Sequence, residues 1–168
     1  MILEAVKFIK LREKDFNAIR DLALKGWYFA YSHIPKKELN KKVCEYYSNE
    51  NLGGYLKNIK KGADFFLLAF NKKNLIGFVH LGFKKGEAEL FRLYIDPKLI
   101  GMGLGKKLLF LGENFLKKNK ARKYFTFVNK YNKTGLNFYL RNGFKRNPKN
   151  DRDDFKKMDL WYIEKKLM

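Results

Sequence analysis

Apolar and polar positions alternate along the chain in patterns that predict its elements before any motif is considered. "AVKFIKL" at 5–11 alternates with a period of two and reads as a strand. Asp15 then reads as the cap of an amphipathic helix to about Gly26, with Phe16, Ile19, Leu22 and Ala23 recurring at helical spacing. "WYFAYSHIP" leads into a second helix starting near Pro35, a residue suited to a first turn, with Leu39, Val43, Tyr46 and Tyr47 helically spaced. Three apolar runs follow: "DFFLLAFN" (64–71), "NLIGFVHLGF" (74–83) and "EAELFRLYID" (87–96). The turns between them, "NKKN" and "KKGE", are short enough to predict an antiparallel meander. A glycine-rich segment then opens a helix to about Asn119. After it come the strand "KYFTFVN" (123–129), a short helix "KTGLNFYLRN" (133–142) stopped at Gly143, and a last strand "MDLWYIEKK" (158–166). The run between Phe144 and Phe155 stays ambiguous. The order β-α-α-β-β-β-α-β-α-β predicts a mixed α/β fold with a largely antiparallel central sheet flanked by helices, not a doubly wound parallel one.

Composition narrows the class. At 168 residues, 46% of them apolar and 17% aromatic, the chain has the material for one well-packed domain over 1–168, and its composition argues against disorder. No apolar run approaches the roughly 20 residues that span a bilayer, and "MILEAVKFIK" lacks a signal-peptide core. A cytoplasmic protein without membrane partners is expected. The one cysteine, Cys44, excludes an internal disulfide and reads as core on an apolar helix face. The net charge of +20 admits two readings. It is either solvated surface on a lysine-rich chain or a field that attracts phosphate-bearing ligands.

The glycines carry the first chemical signal. "DPKLIGMGLGKKLLF" (96–110) places Gly101, Gly103 and Gly105 between a strand and a helix, where glycine costs about 0.8–1 kcal/mol per helical position. A strand that ends in such a segment and opens a helix aims unpaired backbone N–H groups, and the positive end of the helix dipole, at one spot. That spot suits a phosphate, and Lys106 and Lys107 add charge to it. A plain turn for close strand–helix packing is the competing explanation. Two phosphate motifs fail here. The Walker loop needs a different glycine spacing and a hydroxyl after the lysine, where Lys107 stands. A dinucleotide fingerprint would need glycine at Leu108.

"LFRLYIDPKLIGMGLGKKLL" followed by "NKTGLNFYLRNGF" resembles the GNAT family of N-acetyltransferases. Gly103 and Gly105 fill the glycine positions of that family's Gln/Arg-x-x-Gly-x-Gly/Ala signature, with Ile100 where Gln or Arg is usual. Asn132, Phe138, Tyr139, Gly143 and Phe144 match the later segment, with Gly135 in place of alanine. The resemblance implies the GNAT acyltransferase fold and direct acetyl transfer from acetyl-CoA to a primary amine in a ternary complex. It implies that the backbone of Leu93, Tyr94 and Ile95 holds the pantetheine arm and thioester. Backbone groups of Gly101, Met102, Gly103, Leu104, Gly105 and Lys106 would cradle the pyrophosphate, and Asn132 would touch the cofactor from the opposite side. Tyr139 matches the tyrosine that serves as general acid near the sulfur. Glu89 falls where some members carry a catalytic glutamate, and regular pleating would put it on one face with Phe91, Leu93 and Ile95. Burial there would raise its pKa toward that of a useful base, with water as the alternative. "WYFAY" (27–31), in the connection between the first two helices, would wall the acceptor cleft.

His33 and His80 are lone histidines, so no metal is expected. "DRDD" (151–154) is either a solvated turn or a partner for a cationic acceptor. The acceptor is a small amine or polyamine, the chain loosely resembling the bacterial polyamine acetyltransferases of the family, or else a peptide or protein amine. The competing class is a nucleic-acid-binding protein on a degenerate acetyltransferase scaffold, which the basic composition and aromatics would suit. Nucleic acid is otherwise expected to bind only weakly and without specificity, and a homodimer is allowed.

Overall fold

The computed structural model describes residues 5–155 and 158–168. Its centre is an eight-stranded sheet built from β1 (Val6–Lys10), β2 (Asp64–Asn71), β3 (Asn74–Lys84), β4 (Glu87–Ile95), β5 (Lys123–Asn129), β6 (Lys145–Arg146), β7 (Arg152–Phe155) and β8 (Met158–Lys166). The strand order is β1-β2-β3-β4-β5-β8-β6, with β7 pairing β8 off this path. The pairs are antiparallel except β4 with β5, which is parallel. A parallel pair needs a crossover, and α4 (Leu104–Lys118) supplies it. The other helices are α1 (Phe16–Ala30), α2 (Lys36–Tyr46), α3 (Asn49–Lys60) and α5 (Lys133–Arg141).

Helices cover both faces of the sheet, which is why β2 and β3 read as nearly continuous apolar runs. On one face Val79, Leu81 and Leu90 pack with Leu104, Leu108 and Leu116 of α4. On the other, Phe66, Leu68 and Phe78 pack with Ile19 and Leu22 of α1, Val43 of α2 and Leu52 of α3.

The structure departs from the pattern-based expectation in particular places. The chain between Asn49 and Lys60 forms a helix that the sequence reading did not include. Ser48 caps it by accepting from the Asn51 N–H at 3.2 Å, and Leu52, Tyr55, Leu56 and Ile59 supply its apolar stripe. Gly53 and Gly54 mask that signal, because each weakens helix propensity by about 1 kcal/mol. Asp15 does not cap α1; its carboxylate takes two hydrogen bonds from the Arg12 guanidinium instead, at 2.7 and 2.9 Å. α1 runs past Gly26 to Ala30. Cys44 is exposed rather than core, since Leu39 and Val43 take the inward face of α2. The ambiguous run after Phe144 contains β6 and β7, strands too short to show a period.

Candidate active site

The site begins with an irregularity in β4. Leu81 of β3 pairs with Leu90, whereas His80 pairs with Arg92, so Phe91 is an extra residue on the β4 side. Such a bulge bends its strand and disturbs the next ladder. β4 and β5 accordingly register at one pair only, Glu89 with Phe125. Beyond it the strands part, and a cleft of about 430 Å³ opens, lined by 91–95 on one side and 126–129 on the other. Backbone groups of β4 that a full parallel ladder would have used face this gap.

The glycine segment closes one end. Asp96 accepts from the Lys98 N–H at 3.1 Å and starts a tight turn after β4. Gly101 (φ 88°) and Gly103 (φ 85°) then take left-handed conformations that side chains disfavour. Gly103 is the N-cap of α4, so the N–H groups of the first turn are free of helical partners. Gly101, Gly103, Gly105 and Lys106 line the cleft. Met102 points to solvent and Leu104 into the core, so only their backbones are available. Gly105 also serves packing, because a Cβ there would stand 3.2 Å from the Phe138 ring of α5. Ile100 lines the rim as an exposed apolar side chain.

α5 forms the adjacent wall. Asn132 lines the cleft and caps α5, accepting from the Gly135 N–H at 2.9 Å. A Cβ at Gly135 would come within 2.7 Å of the Asn132 amide nitrogen, so glycine in place of alanine gives that amide room. Tyr139 lines the cleft between the rings of Phe138 and Phe144, at 5.4 and 5.1 Å. Burial, with the Tyr94 phenol adding to it, pushes the Tyr139 phenol up, so at neutral pH it holds its proton.

The last turn of α1 and its C-cap, not a loop, bring in Trp27, Phe29, Ala30 and Tyr31. A Cβ at Gly26 would lie 2.9 Å from the Tyr94 ring, so glycine lets α1 rest on that side chain. The Trp27 indole then donates to the Tyr94 hydroxyl at 2.6 Å. Tyr31, Tyr94 and Tyr139 therefore gather around one gap. The Tyr31 phenol is also pushed up, by burial and then by the other two phenols, with the Asn132 side chain opposing. Only "WYFAY" marked this wall in the sequence; the role of Tyr31 beside Asn132 had no linear signal.

Glu89 is not among the cleft-lining residues. The bulge shifts the alternation of β4, so Leu90 and Leu93 share the α4 face. Arg92 and Phe91 contact His80 on the opposite face, at 2.9 Å and at a ring separation of 4.8 Å. Glu89, paired with Gly82, belongs to that opposite face and not with Leu93 and Ile95. Its carboxyl is half-buried and pushed up by burial, against the pull of Lys84, Arg152 and Arg92.

His80 is not alone. Its Nε2–H donates to Asp64 at 3.1 Å and its Nδ1 accepts from Arg92 at 2.9 Å. Arg92 also donates to the Tyr55 hydroxyl at 2.8 Å. Burial holds the imidazole down at about 4, more strongly than Asp64 raises it, so it is neutral and bridges an anion and a cation. Among the described residues no three His, Cys, Asp or Glu side chains gather as a metal site would need. No helix among them is long and apolar enough to cross a membrane. Asp151 is not a solvated turn residue: it pairs with Arg146 and accepts from the Tyr162 N–H at 2.9 Å.

A mixed sheet parted between its parallel strands, with a glycine-capped helix at one end of the gap, defines the class. The model of the acetyltransferase (GNAT) family matches residues 16–144, and the chain belongs to that family of N-acetyltransferases. It is 32% identical over 143 residues to the spermidine N(1)-acetyltransferase of Thermoplasma acidophilum, an alignment covering 84% of this chain and 89% of the relative. The crystal structure of the PaiA N-acetyltransferase of the same organism, in complex with coenzyme A, superposes with a TM-score of 0.82 at 31% identity, covering 96% and 98% of the two chains. A GNAT acetyltransferase from Staphylococcus aureus Mu50 shares the fold at 17% identity, with a TM-score of 0.76 over 98% of this chain and all of that one.

Proposed function

We propose that the protein transfers the acetyl group of acetyl-CoA directly to a primary amine of a small polyamine. The observation that carries this is the parting of β4 from β5 beside the Gly103-capped start of α4, with Tyr139 in the adjacent wall. The likeness to a spermidine acetyltransferase, and to a relative crystallised with coenzyme A, supports both the donor and the acceptor class.

The residues fit the donor. Free N–H groups at 104–106 and the dipole of α4 suit a pyrophosphate, and Lys106 adds charge. The exposed β4 edge from Leu93 to Ile95 offers hydrogen-bonding groups to an amide-bearing arm. Asn132, with its oxygen committed to capping, presents its amide N–H groups beside Tyr31 at the cleft, one of them toward the Tyr31 phenol. Acetyl-CoA supplies the activated acyl group. The chain aligns it, shields it with Trp27, Tyr31 and Phe138, and holds a proton on the Tyr139 hydroxyl for the departing sulfur. Glu89 is on the face of β4 away from Leu93 and Ile95, so we assign removal of the amine's proton to water and give Glu89 the part of an anionic attractor for the ammonium.

Thiol release from acetyl-CoA, measured across polyamines, monoamines, amino acids and peptides, tests this. Spermidine should be among the best acceptors. Thiol release confined to peptide amines would overturn the acceptor class. Release with none of them, in a protein that binds coenzyme A, would overturn the transfer reaction. Gly103→Val should weaken both CoA and acetyl-CoA binding in calorimetry while circular dichroism stays unchanged. Unaltered affinity would remove the pyrophosphate from this loop.

A further inference from the structure

β7 brings a charged side chain against two residues that line the cleft, Leu160 and Phe127. Arg152 pairs through its backbone with Leu160, a cleft-lining residue. Its guanidinium carbon lies 4.5 Å from the centre of the Phe127 ring. Phe127 also lines the cleft, two residues past the single β4–β5 register pair. Its neighbours Phe125 and Tyr162 meet it edge-on, with ring planes at 80° and 72°. Neither stacks in parallel on the ring, and it is Arg152 that lies over it.

Glu89 registers with Phe125 at that single pair, and the Phe125 ring lies 5.7 Å from the Phe127 ring, so Glu89 adjoins the same aromatic cluster. An aromatic face, negative at its centre, with a carboxylate beside it is an arrangement that holds cations. Here the occupant belongs to the protein. Arg152 is an exposed side chain on a strand that, among the described residues, pairs with β8 off the main path of the sheet. Moving it leaves both apolar cores untouched.

A polyamine presents two demands to such a cleft. The reacting nitrogen has to arrive neutral where β4 and β5 part, whereas the other amines stay charged and need a seat of their own. A guanidinium already on Phe127 repels that second charge and holds the surface best suited to it.

We propose that Phe127, with Glu89 beside it, is the seat for the distal ammonium of a diamine or polyamine acceptor, and that Arg152 is a displaceable internal cation occupying it until the acceptor arrives. The proposal rests on the amine-acetyltransferase function argued above and names the acceptor's second charge as the feature recognised. Arg152 then competes with the substrate within the molecule. It raises the polyamine KM and leaves the transfer step alone.

Steady-state kinetics at saturating acetyl-CoA, with spermidine and 1-aminobutane as paired acceptors, test the proposal. A cation–π contact at an exposed site corresponds to about a two- to five-fold change in an equilibrium. Arg152→Ala should therefore lower the spermidine KM by about two- to five-fold relative to that of 1-aminobutane, without changing kcat. Arg152→Lys keeps a cation over the ring and should retain the wild-type ratio. Phe127→Leu should shift the ratio the other way by a similar factor. An unchanged ratio in Arg152→Ala, or a raised spermidine KM, overturns the proposal. So does a selective loss of carboxylate-bearing acceptors, which would make the guanidinium an anion partner. Failure of the polyamine assignment itself shows separately, as a wild-type enzyme that acetylates 1-aminobutane but not spermidine.

Discussion

Tyr139 and Glu89, the acid and base candidates of the sequence, stand on different elements: Tyr139 on α5, and Glu89 on the face of β4 away from Leu93 and Ile95. Tyr139 stands in the cleft wall with its phenol pushed up by burial, which suits an acid that must keep its proton until the sulfur leaves. Tyr139→Phe should lower kcat by about 10²–10⁴-fold, the usual worth of general acid–base assistance, with CoA affinity preserved. A single-turnover rate equal to the wild type's would reduce the tyrosine to packing. Glu89→Gln should raise the polyamine KM and leave the shape of the pH–rate profile unaltered. Loss of an acidic limb in that profile would restore Glu89 as the base. His80 makes a third case. Its folded pKa, about 4, lies below the ordinary 6.5, so its neutral form is favoured by folding. The stability this contributes is complete above pH 6.5 and is lost as pH falls through about 4, amounting to roughly 3 kcal/mol at most. Denaturant titrations between pH 7 and 4 should show that decline, and NMR should find the imidazole neutral at pH 5. A ring titrating near 6.5 would contradict the Asp64–His80–Arg92 chain. The motif positions were legible because they are local. The partners of His80 and the facing of Glu89 were not, because a single inserted residue, Phe91, changes which face each neighbour takes.

Among elements, long periodic segments read correctly and short or glycine-bearing ones did not. β2, β5 and β8 have the predicted bounds, each showing its pattern over seven or more residues. α3 was hidden by Gly53 and Gly54, whose absent side chains would meet nothing within 4 Å. Alanine at either position should therefore stabilise the protein by about 0.4–1 kcal/mol, as the unfolded chain loses freedom and the helix gains propensity. Gly112 in α4 gives the opposite sign. A Cβ there would collide with the fully buried Leu81 of β3. Overpacking of that kind costs about 1–3 kcal/mol, so Gly112→Ala should melt lower. Thermal melts of the three variants check both signs. A stabilised Gly112→Ala would mean that α4 does not lie on β3 as described.

For the whole molecule, the +20 charge acts at long range and without sequence preference. It favours encounter with a polyanionic donor and opposes encounter with a polycationic acceptor. Affinity for coenzyme A should fall as salt rises. Binding to a random DNA duplex should appear at low salt and largely vanish at physiological salt, because phosphate contacts release counterions. Tight, salt-resistant, sequence-selective binding would instead favour the nucleic-acid class over the enzyme.

By itself the sequence determined the order of most elements, the antiparallel meander, the glycine-opened helix and the family. Each depends on residues adjacent in the chain or on one repeating period. Tertiary structure decided where the sheet parts, which face Glu89 takes, that Tyr31 and Asn132 meet beside the cleft, and that Arg152 lies on Phe127. Those depend on a register shift and on contacts between residues far apart in the chain, which no local pattern encodes.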